Sequence, residues 1–134
     1  MLKSLFAFCI ALAPAIVSAS ELPDTTVEKV LGISGVHHEP NKYLKTDTTY
    51  RSAAGTSLFT LRVAPSGDFA GWKATQAAKS EAVAGVGLEA FTHKTLGGLC
   101  ARSKDTAVCV SSVPFPGRPA LTRQQLIDLV TAAF

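Results

Sequence analysis

The chain has 134 residues, 47% of them hydrophobic, and a formal net charge of +3 at neutral pH. This length suits one domain. The Lys and Arg residues occur singly along the chain, so the small positive charge forms no basic run of the kind that binds nucleic acid. We therefore expect one compact domain and no nucleic-acid partner.

The first 19 residues have the three parts of a secretory signal peptide. Lys3 precedes an apolar run over residues 5–17, and Val17-Ser18-Ala19 is a small-residue cleavage site. Pro14 interrupts the run, which is shorter than the roughly 20 apolar residues that span a bilayer. We expect cleavage after Ala19, a mature domain over residues 20–134 that is periplasmic or secreted in a bacterium, and no membrane span after cleavage.

The first elements of the mature chain are a short helix and a hairpin. Thr25 and Glu28 have the spacing of a capping box, and Gly32 is a suitable helix end, which predicts a helix of about two turns. Residues 33–47 are predicted to form a loop with one short extended piece. Residues 48–54 and 57–64 suit two strands of a hairpin.

A second helix and a further strand follow. Asp68 is a good N-cap, and the following residues have helical spacing to about Lys79, with Trp72 expected to anchor this helix on the sheet. The glycine-containing segment 83–88 leads into a predicted strand over residues 89–93.

Residues 99–112 are predicted to form a hairpin that a disulfide closes. With the turn at Lys104-Asp105, Cys100 lies opposite Cys109 in a non-hydrogen-bonded pair, where the two backbones approach most closely. In an exported chain such a pair favours a disulfide, which stabilises a loop of this length by about 2–3 kcal/mol. The bridge and the apolar side chains of this hairpin are expected on opposite faces, and we expect a structural role for the bridge, with any function elsewhere.

The last helix is predicted by a second capping box at Thr122 and Gln125, and it has one apolar stripe. Together these elements predict an α+β fold. We expect a mostly antiparallel sheet of about five strands, made of two hairpins and a connecting strand, packed by three helices.

Three sets of residues are candidates for a functional site. His37 and His38, joined by His93, are metal-ligand types, although a solvated loop is the simpler interpretation of the first two because neighbouring side chains on a strand point to opposite faces. Phe115 and Arg118, in a proline-rich connection, are candidates for a partner surface. The third set, a Gly-x-Gly-x-x-Ala match over residues 85–90, lacks the strand and helix that a dinucleotide site needs, so we expect no cofactor.

The order of these elements resembles that of small exported bacterial domains of the PsbP-like α/β/α sandwich group. The resemblance covers most of the mature chain and depends on residues 83–91, Val-Ala-Gly-Val-Gly-Leu-Glu-Ala-Phe, and on the amphipathic last helix. It implies a central antiparallel sheet with helices on its faces and a binding or accessory role. It assigns no functional residues.

No nucleophile motif or paired carboxylates stand out in the sequence, and the two mature cysteines suit each other better than catalysis. We therefore expect an exported, non-enzymatic binding or accessory protein with a protein or cell-envelope partner. Two alternatives stay open. One is a small-ligand or metal-binding protein that uses the His37–His38 loop, and the other is a secreted hydrolase or inhibitor with no recognised motif.

Overall fold

The computed structural model describes residues 21–76, 79–93, 97–112 and 120–134. The predicted signal peptide and the candidate partner residues Phe115 and Arg118 lie outside these ranges. The described chain forms three helices and seven strands in the order α1 (Asp24–Leu31), β1 (His37–Pro40), β2 (Asp47–Arg51), β3 (Ser57–Pro65), α2 (Asp68–Thr75), β4 (Ser80–Ala82), β5 (Glu89–His93), β6 (Gly98–Arg102), β7 (Thr106–Ser111) and α3 (Arg123–Ala132).

The strands form one antiparallel sheet in the order β1-β2-β3-β7-β6-β5-β4. Two meanders, β1 to β3 and β4 to β7, meet where β3 pairs with β7. The predicted α+β class with an antiparallel sheet is confirmed, but the strand count of about five is too low. The two strands that the sequence did not resolve, β1 and β4, are edge strands of four and three residues, and such short, largely exposed strands lack apolar alternation.

The helices cover the two faces of the sheet unequally. On one face, α1 and α3 pack over the larger core, which includes Tyr50, Phe59, Leu99 and Leu129. On the other face, α2 is the helix that contacts the sheet, over β3, β6 and β7. Because α2 has only eight residues, it covers part of a seven-stranded face. This arrangement leaves room for a cavity beside α2.

The predicted N-cap agrees with the structure for one of the three helices. The predicted capping box of α1 is wrong, because Pro23 is the N-cap and makes no side-chain cap, while the Glu28 carboxylate accepts a 2.6 Å hydrogen bond from Gly35 N–H. The α2 cap is Gly67 rather than Asp68. In α3 the capping box of Thr122 is present as predicted.

Two other helix predictions also have clear outcomes. Gly32 ends α1 in the left-handed conformation that glycine adopts readily, as expected. By contrast, α2 ends at Thr75, earlier than the predicted end near Lys79.

The predicted register of the β6–β7 hairpin is confirmed. Ser103 N–H donates to the Thr106 carbonyl at 2.8 Å and closes the turn, and Cys100 lies opposite Cys109 with their Cα atoms 4.1 Å apart. The two cysteines form a disulfide. It lies on the α2 face of the sheet, opposite the apolar side chains Leu99 and Val110, which enter the larger core.

The glycine-rich segment before β5 packs tightly against the end of β6. Gly87 has a φ of +57°, and a side chain there would overlap the carbonyl oxygen of Arg102. Leu88 N–H donates to that same carbonyl at 2.8 Å. A strand rather than a helix follows. Of the two glycines of the Gly-x-Gly-x-x-Ala match, Gly87 allows this close packing and Gly85 adopts a positive φ in open space.

Candidate functional site

A cavity of about 380 Å³ lies between α2 and the sheet. Its floor consists of two neighbouring rows of residues, each running across the strands from β3 to β5. The row nearer the β1–β2 turn contains Arg62, Cys109, Cys100 and Phe91, and the other contains Thr60, Ser111, Gly98 and His93. Members of the two rows are two residues apart on each strand and so share one face of the sheet.

Helix α2 forms the wall of the cavity that lies opposite the sheet. Trp72, Thr75 and Gln76 line it from above. Trp72 is half-buried and packs against the smaller core, which contains Phe69, Phe91 and both cysteines. The expected anchoring of α2 by Trp72 is therefore present, and the same indole also contributes to the wall of the cavity.

An ion pair closes one end of the cavity. Arg62 donates from Nε to Asp47 Oδ1 at 2.8 Å and from Nη2 to Oδ2 at 2.9 Å, and its guanidinium carbon lies 5.9 Å from the centre of the Trp72 ring. Burial raises the pKa of the Asp47 carboxyl, but the hydrogen bonds from Arg62 and Thr46 outweigh it and the pKa is lowered overall. At neutral pH the two charges are therefore fixed against each other.

The disulfide belongs to the floor of this cavity. Cys100 and Cys109 are 9% and 8% exposed, and both line the cavity next to Phe91. The bridge therefore lines a cavity as well as closing the hairpin. Sequence alternation placed the bridge on the face opposite the larger core, but it could not show that α2 returns over that face.

The three candidate metal ligands are not brought together. His37 pairs with Arg51 and His38 pairs with Tyr50, so the two side chains point to opposite faces of edge strand β1. His93 is on β5, five strand positions away, which corresponds to about 24 Å. Within the described residues, no group of three or more His, Cys, Asp or Glu side chains is arranged to hold a metal ion.

His38 forms a separate polar cluster with the N-terminal segment. Its Nδ1 lies 2.5 Å from Asp24 Oδ1, its Nε2 lies 3.0 Å from Glu21 Oε2, and its ring packs on Tyr50 at 5.4 Å. The hydrogen bond with Asp24 raises the pKa of His38 despite partial burial. This cluster fixes the residues before α1 to the sheet.

Sequence reasoning selected two members of the cavity wall, Trp72 and His93, for other roles, and it selected the cysteines as structural. It missed Arg62 and Asp47 because a pair of charges fifteen residues apart carries no local signal. The alternation of Thr60 and Arg62 with buried Phe59 and Leu61 was the one available indication that the second face of β3 carries polar side chains.

The chain matches no family model, no curated protein and no solved structure. The resemblance to the PsbP-like group therefore stays a prediction. Among the helices of the described residues, none has the length and hydropathy required to cross a bilayer.

Proposed function

We propose that this is an exported, non-enzymatic binding protein that holds a small, uncharged ligand in the cavity under α2. The observation that carries the proposal is the lining of that cavity. Two aromatic rings, Trp72 and Phe91, adjoin a few polar groups from Thr60, Ser111 and Gln76. A small-molecule site of this kind is concave and partly apolar, with a few polar groups that orient the ligand, and its volume is about 300–1,000 Å³.

The charges of the cavity favour an uncharged ligand. Asp47 and Arg62 satisfy each other through two hydrogen bonds, so a ligand with a net charge would have to compete with an existing ion pair. Breaking this pair would leave the largely buried Asp47 carboxylate without its partner, which costs free energy because water does not fully replace the lost hydrogen bonds. A pair that is already satisfied also suits holding a ligand better than transferring a proton.

The chain supplies its own reporter for ligand binding. Trp72 is the only tryptophan in the sequence and it lines the cavity, so its emission should change when the cavity is filled. We would titrate the protein with three probes of similar shape: 4-hydroxybenzyl alcohol, 4-hydroxybenzoate and 4-hydroxybenzylamine. The neutral alcohol should bind best and be recovered chemically unchanged. Equal or tighter binding of either charged probe, or conversion of the alcohol, would contradict the proposal.

A variant that fills the cavity tests whether the ligand binds there or elsewhere on the protein. Thr60→Phe should abolish the response of Trp72 to the neutral probe, because the added ring occupies the cavity floor. Thr131→Phe makes the same change at an exposed position on α3 and should leave binding intact. Binding that survives Thr60→Phe, measured on a variant with an unchanged circular dichroism spectrum, would place the ligand elsewhere.

A further inference from the structure

The β1–β2 turn presents two large hydrophobic side chains to solvent. Tyr43 is 91% exposed and Leu44 is 50% exposed. The turn is held in shape by Asn41, whose side-chain oxygen accepts hydrogen bonds from the backbone N–H groups of Tyr43 at 2.8 Å and Leu44 at 3.0 Å. Asn41 N–H also donates to the Asp47 carbonyl at 2.9 Å, and Asp47 N–H donates to the Leu44 carbonyl at 3.0 Å. The two apolar side chains are therefore displayed by an ordered turn.

Lysines flank these side chains on both sides. Lys42 and Lys45 are exposed, and within the described residues neither ammonium group forms an ion pair. Glu39, the nearest acid to Lys42 in the strand before the turn, is engaged by Arg51 at 2.6 Å. The sequence Lys-Tyr-Leu-Lys at this tip thus combines positive charge with an aromatic ring and an aliphatic side chain.

The same end of the sheet carries a second exposed apolar site. Leu88, which is 67% exposed, precedes β5 and bonds to the end of β6, and Phe134, which is 41% exposed, lies against Gly87. Antiparallel order places the β1–β2 turn and the start of β5 at one end of the sheet, about 19 Å apart. Of the large exposed hydrophobic residues described, Ile33 is the one at the opposite end, beyond α1.

We propose that this end of the sheet, defined by Lys42, Tyr43, Leu44, Lys45 and Leu88, docks peripherally on an anionic lipid surface. Tyrosine and leucine suit the boundary between headgroups and acyl chains, and lysines are attracted to anionic headgroups. Two apolar sites about 19 Å apart match a flat, extended surface. A lipid surface accounts for the exposed apolar side chains, the flanking lysines and the separation of the two apolar sites. Binding to it does not involve the cavity under α2.

The test is vesicle sedimentation with the protein that a bacterial host secretes when it expresses the full chain. The probes are vesicles of phosphatidylcholine alone and of phosphatidylcholine with 30% phosphatidylglycerol, at low and at high salt. The wild-type protein should bind the anionic vesicles more tightly, and salt should weaken that binding because it screens the lysines. Equal binding to both vesicle types, or to neither, would overturn the proposal.

Paired variants locate the contact. Lys42→Glu with Lys45→Glu should weaken binding to anionic vesicles at least 25-fold, since each lysine near such a surface contributes about fivefold. The matched change Lys29→Glu with Lys79→Glu alters the same charge at exposed positions toward the opposite end and should retain most of the affinity. If this control weakens binding as much as the tip variant, attraction by net charge explains the result and the proposed contact is wrong.

The apolar part of the contact has its own matched control. Tyr43→Ser with Leu44→Ser should also reduce vesicle binding, whereas Ile33→Ser at the other end should not. All of these side chains are exposed, so the variants should keep the wild-type melting temperature. Retention of a protein partner by the wild-type tip but not by the serine variant, without vesicle binding, would assign the surface to that partner instead of a membrane.

Discussion

Removing one buried hydroxyl group should detach the N-terminal segment from the sheet. The Tyr50 hydroxyl accepts a hydrogen bond from Leu22 N–H at 2.6 Å and donates one to the Leu22 carbonyl at 2.8 Å. Tyr50 is fully buried and Leu22 is 2% exposed. Tyr50→Phe preserves the ring and its stacking on Phe59, but it leaves both backbone groups of Leu22 without a partner.

The magnitude follows from two competing responses. If the segment stays in place, each buried backbone group without a partner costs about 1–3 kcal/mol. If the segment detaches so that water reaches these groups, the protein loses the burial of the Leu22 side chain, worth about 1.5–3 kcal/mol. Two such groups together cost about 2–6 kcal/mol, so detachment is the less costly response, and we expect the free energy of unfolding to fall by about 2 kcal/mol.

Urea unfolding followed by circular dichroism would measure this loss, and hydrogen exchange at the Leu22 amide would show whether the segment has detached. Tyr43→Phe is the matched control, because it removes an exposed hydroxyl and should change stability by less than about 0.5 kcal/mol. An equally small change in Tyr50→Phe, or unchanged protection of the Leu22 amide, would refute this reasoning.

The same hydroxyl should give the fold a dependence on alkaline pH. Burial raises the pKa of Tyr50 to about 12, above its ordinary value of 10.0. Because the folded state disfavours the phenolate, this contribution is present below pH 10 and is lost as the pH rises toward 12. Tyr50→Phe should lack that part of the alkaline loss of stability.

Three further substitutions test other parts of the structure. Hydrogen bonding to Asp24 raises the pKa of His38, so the stability that this histidine contributes is present below pH 6.5 and is lost as the pH rises through the folded-state pKa. In urea unfolding, the stability advantage of wild type over His38→Gln should be larger at pH 5.5 than at pH 8.5 by about 0.2–1 kcal/mol. A larger advantage at pH 8.5 would contradict this prediction. Gly87→Ala should cost about 2–4 kcal/mol in urea unfolding, because it combines a positive φ with a backbone overlap, whereas Gly85→Ala, which has a positive φ and open space, should cost about 1–2 kcal/mol. Cys100→Ser should lower stability by about 2–3 kcal/mol without abolishing the fold, and unchanged melting of the wild type under reducing conditions would show that the bridge does not stabilise it.

The sequence by itself determined the features that depend on neighbouring residues. The pairing of Cys100 with Cys109 follows from a short turn and a period of two, and the Thr122 capping box follows from a spacing of three. The left-handed end of α1 at Gly32 is equally local. Each of these features is selected by contacts within about ten residues, so tertiary packing only had to accommodate them.

Only the tertiary structure decided how these local units are combined. Pairing of β3 with β7 brings Thr60 opposite Ser111, about 50 residues later, and no local period specifies that partner. The same pairing places Arg62 beside the disulfide, and α2 packed over them makes both part of the cavity. Strand order also separates His38 from His93, which the sequence alone could group as metal ligands. Long-range pairing depends on burying both faces of the sheet at once, and that condition exists only when the whole chain has folded.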